Sequence, residues 1–138
     1  MQNIHQLLSE IIMTLLVRLL LLTSCLLFQS ILFAGQAVIE AVEAQCNHQR
    51  LCKFSVTISH KDEGWEHFAN GWKIFSPTGE LLGYRALAHP HVNEQPFTRS
   101  IKNIKIPPAT DTVILKANDS VHGESDRKYV IKLKFTDY

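Results

Sequence analysis

The sequence predicts an all-β domain, an immunoglobulin- or fibronectin-III-like β-sandwich of about seven strands, following an N-terminal signal segment. Three observations predict it. Several short runs alternate apolar and polar residues with the period of two that a half-buried strand requires, clusters of Gly, Pro, Asn and Asp separate those runs, and nothing past the first quarter has the 3.6-residue period of an amphipathic helix. Seven such strands with turns between them are the pattern of a two-sheet sandwich, with an open β-barrel as the alternative closure.

The first 34 of the 138 residues stand apart. Leu15 to Phe33 is almost wholly apolar, broken by Arg18 and by Thr23, Ser24, Gln29 and Ser30. About 20 apolar residues span the roughly 30 Å hydrocarbon layer, so residues 1–34 read as a cleaved signal peptide or an uncleaved signal anchor. Small residues follow, and the bonds after Ala34 or Ala37 suit a leader peptidase. Met13 is an alternative start, because MTLLVR supplies a basic n-region whereas acidic Glu10 lies upstream. LTSC at 22–25 resembles a lipobox that would lipidate Cys25, although Leu26, Leu27 and Phe28 stand where a polar tether is expected. Membrane contact is expected through this segment alone, if it is retained or lipidated.

Residues 35–138 are read as one sandwich domain, long enough for a modest core. Ala37 to Ala44 is apolar apart from Glu40 and Glu43. From Cys52 to Ser59, Cys52, Phe54, Val56 and Ile58 face one way and Lys53, Ser55, Thr57 and Ser59 the other. CNHQRLC joins the two runs as a hairpin loop. Cys46 and Cys52 are the two cysteines beyond the leader, and their five intervening residues are not the two of a redox pair. Export then predicts a structural disulfide, contributing about 2 kcal/mol by the chain-entropy argument. Trp72 to Phe75 and Leu81 to Leu87 flank the turn SPTGE. Phe97 to Ile106 ends at Pro107 and Pro108, and Thr112 to Ala117 and Lys128 to Phe135 complete the set.

Charge excludes one class of partner. Of 14 Lys and Arg and 13 Asp and Glu, one of each (Arg18 and Glu10) lies in the leader, and the balance forms no basic stripe, so nucleic acid is not expected. Catalysis is not expected either. Asp119, Ser120 and His122 are too close in sequence for a triad relay, no Gly-x-Ser-x-Gly surrounds Thr98 or Ser100, and no phosphate loop, His-Glu-x-x-His or Cys-x-x-Cys occurs.

The chemistry-bearing residues are histidines. His67, His89, His91 and His122 lie in the loop-like stretches GWEHFANGW, LAHPHVNEQPFTRS and NDSVHG. Imidazole is the commonest protein ligand for zinc and copper. Pro90 extends the backbone between His89 and His91, so both rings can face one centre. The four are therefore candidate ligands for copper or zinc, with Asp62, Glu66, Glu94 and Asp119 as carboxylate ligands or tautomer-fixing acceptors. Sandwich loops cluster at two ends, and strand order decides whether these share one. His48, in the hairpin loop, and His60, at a strand end, are expected to be solvated. In the competing reading the histidines brace the loops against Trp65, Phe68, Trp72 and Phe97, and Glu94 pairs with Arg99.

GWEHFANGWKIFSPTGELLG, LAHPHVNEQPFTRSI and ANDSVHG together resemble a group of small exported bacterial proteins of unknown function, over about residues 37–135. The resemblance implies a periplasmic or secreted setting and no particular activity. This chain departs from it after DSVHG, where Glu124, Ser125, Asp126 and Arg127 replace a glycine-rich turn. The expectation is an exported carrier, buffer or sensor of a transition metal ion. The alternative is a non-catalytic envelope module whose partner is another envelope protein.

Overall fold

A computed structural model describes residues 3–27 and 35–136. The chain divides into two compact units, Met1–Ala34 and Gly35–Tyr138. The first contains one helix, α1 (Ile4–Leu27). Over the side chains described in it, no window is long and apolar enough to cross a membrane. Ala34, the residue before one expected cleavage point, and Phe28 to Phe33 lie outside the described residues.

The second unit is a β-sandwich. Its strands are β1 (Val38–Cys46), β2 (Leu51–Ser59), β3 (Ala69–Phe75), β4 (Leu81–Ala86), β5 (Phe97–Lys105), β6 (Thr112–Asp119), β7 (Gly123–Glu124) and β8 (Tyr129–Lys132). One sheet has the order β1-β2-β5 and the other β4-β3-β6-β7, with β8 also pairing along β6; every pairing between named strands is antiparallel. The period-two pattern is the cause. In β2 and β6 every second side chain is buried, so Phe54, Val56 and Ile58 of one sheet share a core with Val113, Leu115 and Ala117 of the other. Trp72 and Ile74 on β3 and Phe97 on β5 complete its centre. The whole buried apolar cluster lies between Ala37 and Leu133, so this unit carries its own core.

Three local details differ from the sequence reading. β3 begins at Ala69 instead of Trp72, because Ala69 and Gly71 pair with the end of β6 across a bulge. The NDSVHG stretch, expected to be loop throughout, contributes the short β7, with Gly123 at φ 76° turning the chain back onto Asn118 and Asp119. The last strand stops at Lys132, yet Leu133 donates its N–H to the Asp111 carbonyl and Phe135 bridges to Cys46, so inward alternation outlasts the ladder.

Cys46 and Cys52 face each other in register and form the disulfide at the turn of the β1–β2 hairpin. Ser76 and Gly79 close the β3–β4 turn. Since each strand reverses the one before, the connections after β2, β4 and β6 all emerge at the opposite end from the disulfide, beside the start of β1. That end receives Gly35, His60, His67, His89, His91 and His122. His48, in the hairpin loop, is at the other.

Candidate metal centre at one end of the sandwich

Asp119 is the last residue of β6 and its side chain is completely buried. Its Oδ1 accepts the backbone N–H groups of Val121 at 2.9 Å and His122 at 2.6 Å, and lies 3.1 Å from the His122 Nδ1. Burial pushes this carboxyl's pKa up, but the His122 and Val121 N–H groups and the His122 ring outweigh it and hold the value below the usual 3.8. Asp119 is therefore an anion at neutral pH. Its other oxygen, Oδ2, is buried with no hydrogen-bond partner among the described residues.

His67 approaches from the β2–β3 connection, which is tied to the end of β6. Ser120 donates its N–H to the Phe68 carbonyl, and the Phe68 N–H donates to the Ser120 hydroxyl. The His67 Nε2 lies 3.4 Å from Asp119 Oδ1 and is likewise buried without a hydrogen-bond partner, while Nδ1 faces Glu63 at 3.7 Å. The His67 ring meets His60 edge-on at 4.7 Å on one side and His122 at 5.0 Å on the other. Ligand-type atoms of His60, His67 and Asp119 all fall within 4.8 Å of one another. A tetrahedral ion about 2.1 Å from each ligand would bring them to roughly 3.4 Å apart, so closure requires shifts of about an ångström.

His60 is held differently. Its Nε2 is 2.7 Å from the Gly35 carbonyl oxygen and its Nδ1 2.6 Å from Asp62 Oδ1. A carbonyl can only accept, so Nε2 carries a hydrogen. Asp62 is buried and also accepts N–H groups from Ala69 at 2.9 Å and His91 at 2.6 Å. Burial raises its pKa, but the His91 and Ala69 donors and the His60 ring together hold it below 3.8. His60 is thus fixed at both ring nitrogens, Nε2 by the Gly35 carbonyl and Nδ1 by the Asp62 carboxylate.

The four histidines singled out from sequence thus fall into two groups. His67 and His122 come together beside Asp119. His89 and His91 form a separate pair, ring centroids 4.6 Å apart, with His91 stacked on Phe97 at 3.9 Å. His91 is 5% exposed, and burial, aided by the charges of Arg99 and His89, lowers its pKa and keeps the ring neutral. Exposed His89 places Nδ1 3.2 Å from the Pro90 carbonyl. Of the carboxylates, Asp62 fixes His60 and links to the His91 backbone, Asp119 lines the centre, Glu66 is exposed outside it, and Glu94 forms a two-pronged ion pair with Arg99 at 3.2 and 2.8 Å.

His60 corrects the sequence reading, which placed it in solvent. It is 7% exposed, because the chain turns inward after β2 and Gly35 covers the ring. A signal for it was present in SHKD: residues two apart on an extended segment share a side, which sets Asp62 beside His60. Gly35 had no such signal. An added Cβ there would lie 2.9 Å from His122 Cε1, and its φ of 150° suits glycine.

No protein-family model and no solved structure matches this chain. A curated protein of Halomicrobium mukohataei described as "Putative lipoprotein" is 34% identical over 96 residues, which cover 70% of this chain and 47% of that relative. The chain therefore spans about half the length of the curated relative it matches.

Proposed function

We propose that this is an exported protein whose sandwich binds a transition metal ion, copper(II) or zinc, at the end carrying His67, Asp119, His122 and His60, and that it acts in the cell envelope as a metal carrier, buffer or sensor. The observation that carries the reading is that, of the seven buried unpartnered side-chain atoms among the described residues, His67 Nε2 and Asp119 Oδ2 belong to side chains that converge with His60 within ligand reach. Both ring nitrogens of His91 are also unpartnered but lie outside that group. Leaving a buried polar group unpaired costs about 1–3 kcal/mol, and more for a charged one. A loop brace needs no such cost, whereas a cation would offset both. The donor set of imidazoles and one carboxylate suits zinc and copper(II).

Export is supported by the apolar leader and the disulfide, and an envelope location by the lipoprotein description of the relative. Bracing keeps a place within this reading. The His60 and Asp62 pair holds the start of β1, the β2–β3 connection and the β4–β5 connection together, and joins the coordination only when His60 exchanges the Gly35 carbonyl for the ion and releases a proton.

The test is a zinc and copper titration of the disulfide-intact protein beside two variants, His67→Ala and the double variant His89→Ala with His91→Ala. Stoichiometric binding tighter than micromolar, lost in the first variant and kept in the second, is the expected result. Loss in the double variant alone would move the site to the His89 and His91 pair. No binding by the native protein would overturn the metal reading and favour a structural module with a protein partner.

A further inference from the structure

Gly35 is the residue around which the centre closes. Its carbonyl accepts from His60, and an added Cβ would sit 2.9, 3.5 and 3.7 Å from the Cε1, Nε2 and Nδ1 atoms of His122. The amide nitrogen of a residue lies about 2.5 Å from its Cβ position by tetrahedral geometry, which places the Gly35 nitrogen within about 5.5 Å of the His122 ring edge. His67 makes edge contacts with both His60 and His122. Gly35 therefore lies against both of the imidazoles that meet His67.

We infer that leader removal takes place between Ala34 and Gly35, and that the α-amino group thus created becomes a ligand of the metal centre. The inference rests on the metal reading above and adds an amine to its imidazoles and carboxylate. In the cleavage, water is consumed by a leader peptidase: the Ala34 carbonyl carbon gains the hydroxyl and the Gly35 nitrogen gains hydrogen as the amide bond breaks. An amide nitrogen is a poor metal donor. The amine that replaces it has an ordinary pKa of about 7.7–8.0, low enough to lose its proton to a bound ion near neutral pH.

Cleavage after Ala37, the other point the leader allows, does not suit the fold. Ala37 is fully buried in the core. Gln36 makes a two-way contact with Asp126, donating from Nε2 to the carboxylate and accepting the backbone N–H, both at 3.2 Å. The sandwich therefore uses all three residues that this cut would remove.

Two proteins test the inference, both built on the sandwich unit, which contains its whole core. One begins at Gly35 with a free amine; the other retains Ala34, so that the Gly35 nitrogen stays an amide. Copper(II) affinity is measured by chelator competition across pH 6–8, and the full chain, exported with its own leader, is weighed by intact mass. The expected result is an exported protein beginning at Gly35 and copper binding at least tenfold tighter for the Gly35 form. An exported protein beginning at Val38, or lipidated at Cys25, overturns the inference. So do equal affinities of the two forms, which leave the metal reading standing. Failure of both to bind copper or zinc overturns the inference together with that reading.

Discussion

His67 Nε2 lies 3.4 Å from one oxygen of Asp119 while the other oxygen of that carboxylate is buried without a partner. A side chain of the β2–β3 connection and one at the end of β6 are thus held together without satisfying each other. A ligand that binds the folded protein at 100 times its Kd stabilises it by about 2.7 kcal/mol. Zinc is expected to raise the melting temperature by roughly 11–22 °C at that concentration, given about 4–8 °C per kcal/mol for a domain of this size. Asp119→Asn, whose amide oxygen can still accept from Val121 and His122, is expected to fold and to lose most of the zinc-induced rise. Calorimetry with and without zinc checks both.

Gly35→Ala is expected to disturb the centre from the backbone side. The new methyl meets the His122 ring at 2.9 Å on a backbone whose φ disfavours a side chain. The strain costs on the order of 1–3 kcal/mol. Urea unfolding is expected to lose about that much stability, and metal affinity is expected to fall because His122 must move.

Asp62→Ala removes a buried carboxylate and leaves the His60 ring and the Ala69 and His91 N–H groups without their partner. Each buried polar group left without a partner costs about 1–3 kcal/mol. That is a large share of a small domain's stability. Denaturation midpoints are expected to fall accordingly, whereas Glu66→Ala, at an exposed carboxylate outside the centre, is expected to change stability by under about 0.5 kcal/mol.

Acid is expected to weaken the metal-free fold in two stages. His91 has a folded pKa below its ordinary 6.5, so the unfolded chain takes up a proton first and stability declines as pH falls from 6.5 towards the lower folded value. Asp62 and Asp119 have folded values below 3.8. Their contribution is complete above 3.8 and is lost as pH falls from there through the folded values. Urea midpoints from pH 7 to 2.5 test this, and His91→Phe is expected to remove the contribution of His91 to the first decline.

Replacing Cys46 and Cys52 by serine together is expected to cost about 2 kcal/mol for so short a loop. Chemical denaturation of oxidised protein against the double variant measures it.

Much of this was legible in the residues. The alternation in β2, β6 and the final segment states which side chains face inward, and the structure buries them accordingly. The shared end of the histidine loops was left open by the residues because it depends on strand order, and the antiparallel succession of the structure returns the connections after the second, fourth and sixth strands to the same side. Burial of His60 was less visible, since it depends on Gly35 arriving from 25 positions away. The separation of His89 and His91 from His67 was not legible at all. The ring of His91 finds the face of Phe97, a packing choice that spacing around Pro90 does not encode. The extra β7 arises where Gly123 lets two residues fold back, a backbone event too short to leave a periodic trace.

The bridge between Cys46 and Cys52 pins the one hairpin whose far ends lead to the Gly35 carbonyl and the His60 ring. Strand pairing has a period of two, so a slip of one residue would turn every side chain of β1 or β2 to the wrong face. The bridge holds the register that runs from Cys46 and Cys52 to Ala41 and Thr57, and the irregularity between Ile39 and Ala41 then brings Val38 opposite Ser59. Bridge and irregularity thereby act in series, the first anchoring the hairpin at one tip and the second trimming it by one residue where the Gly35 carbonyl approaches the His60 imidazole.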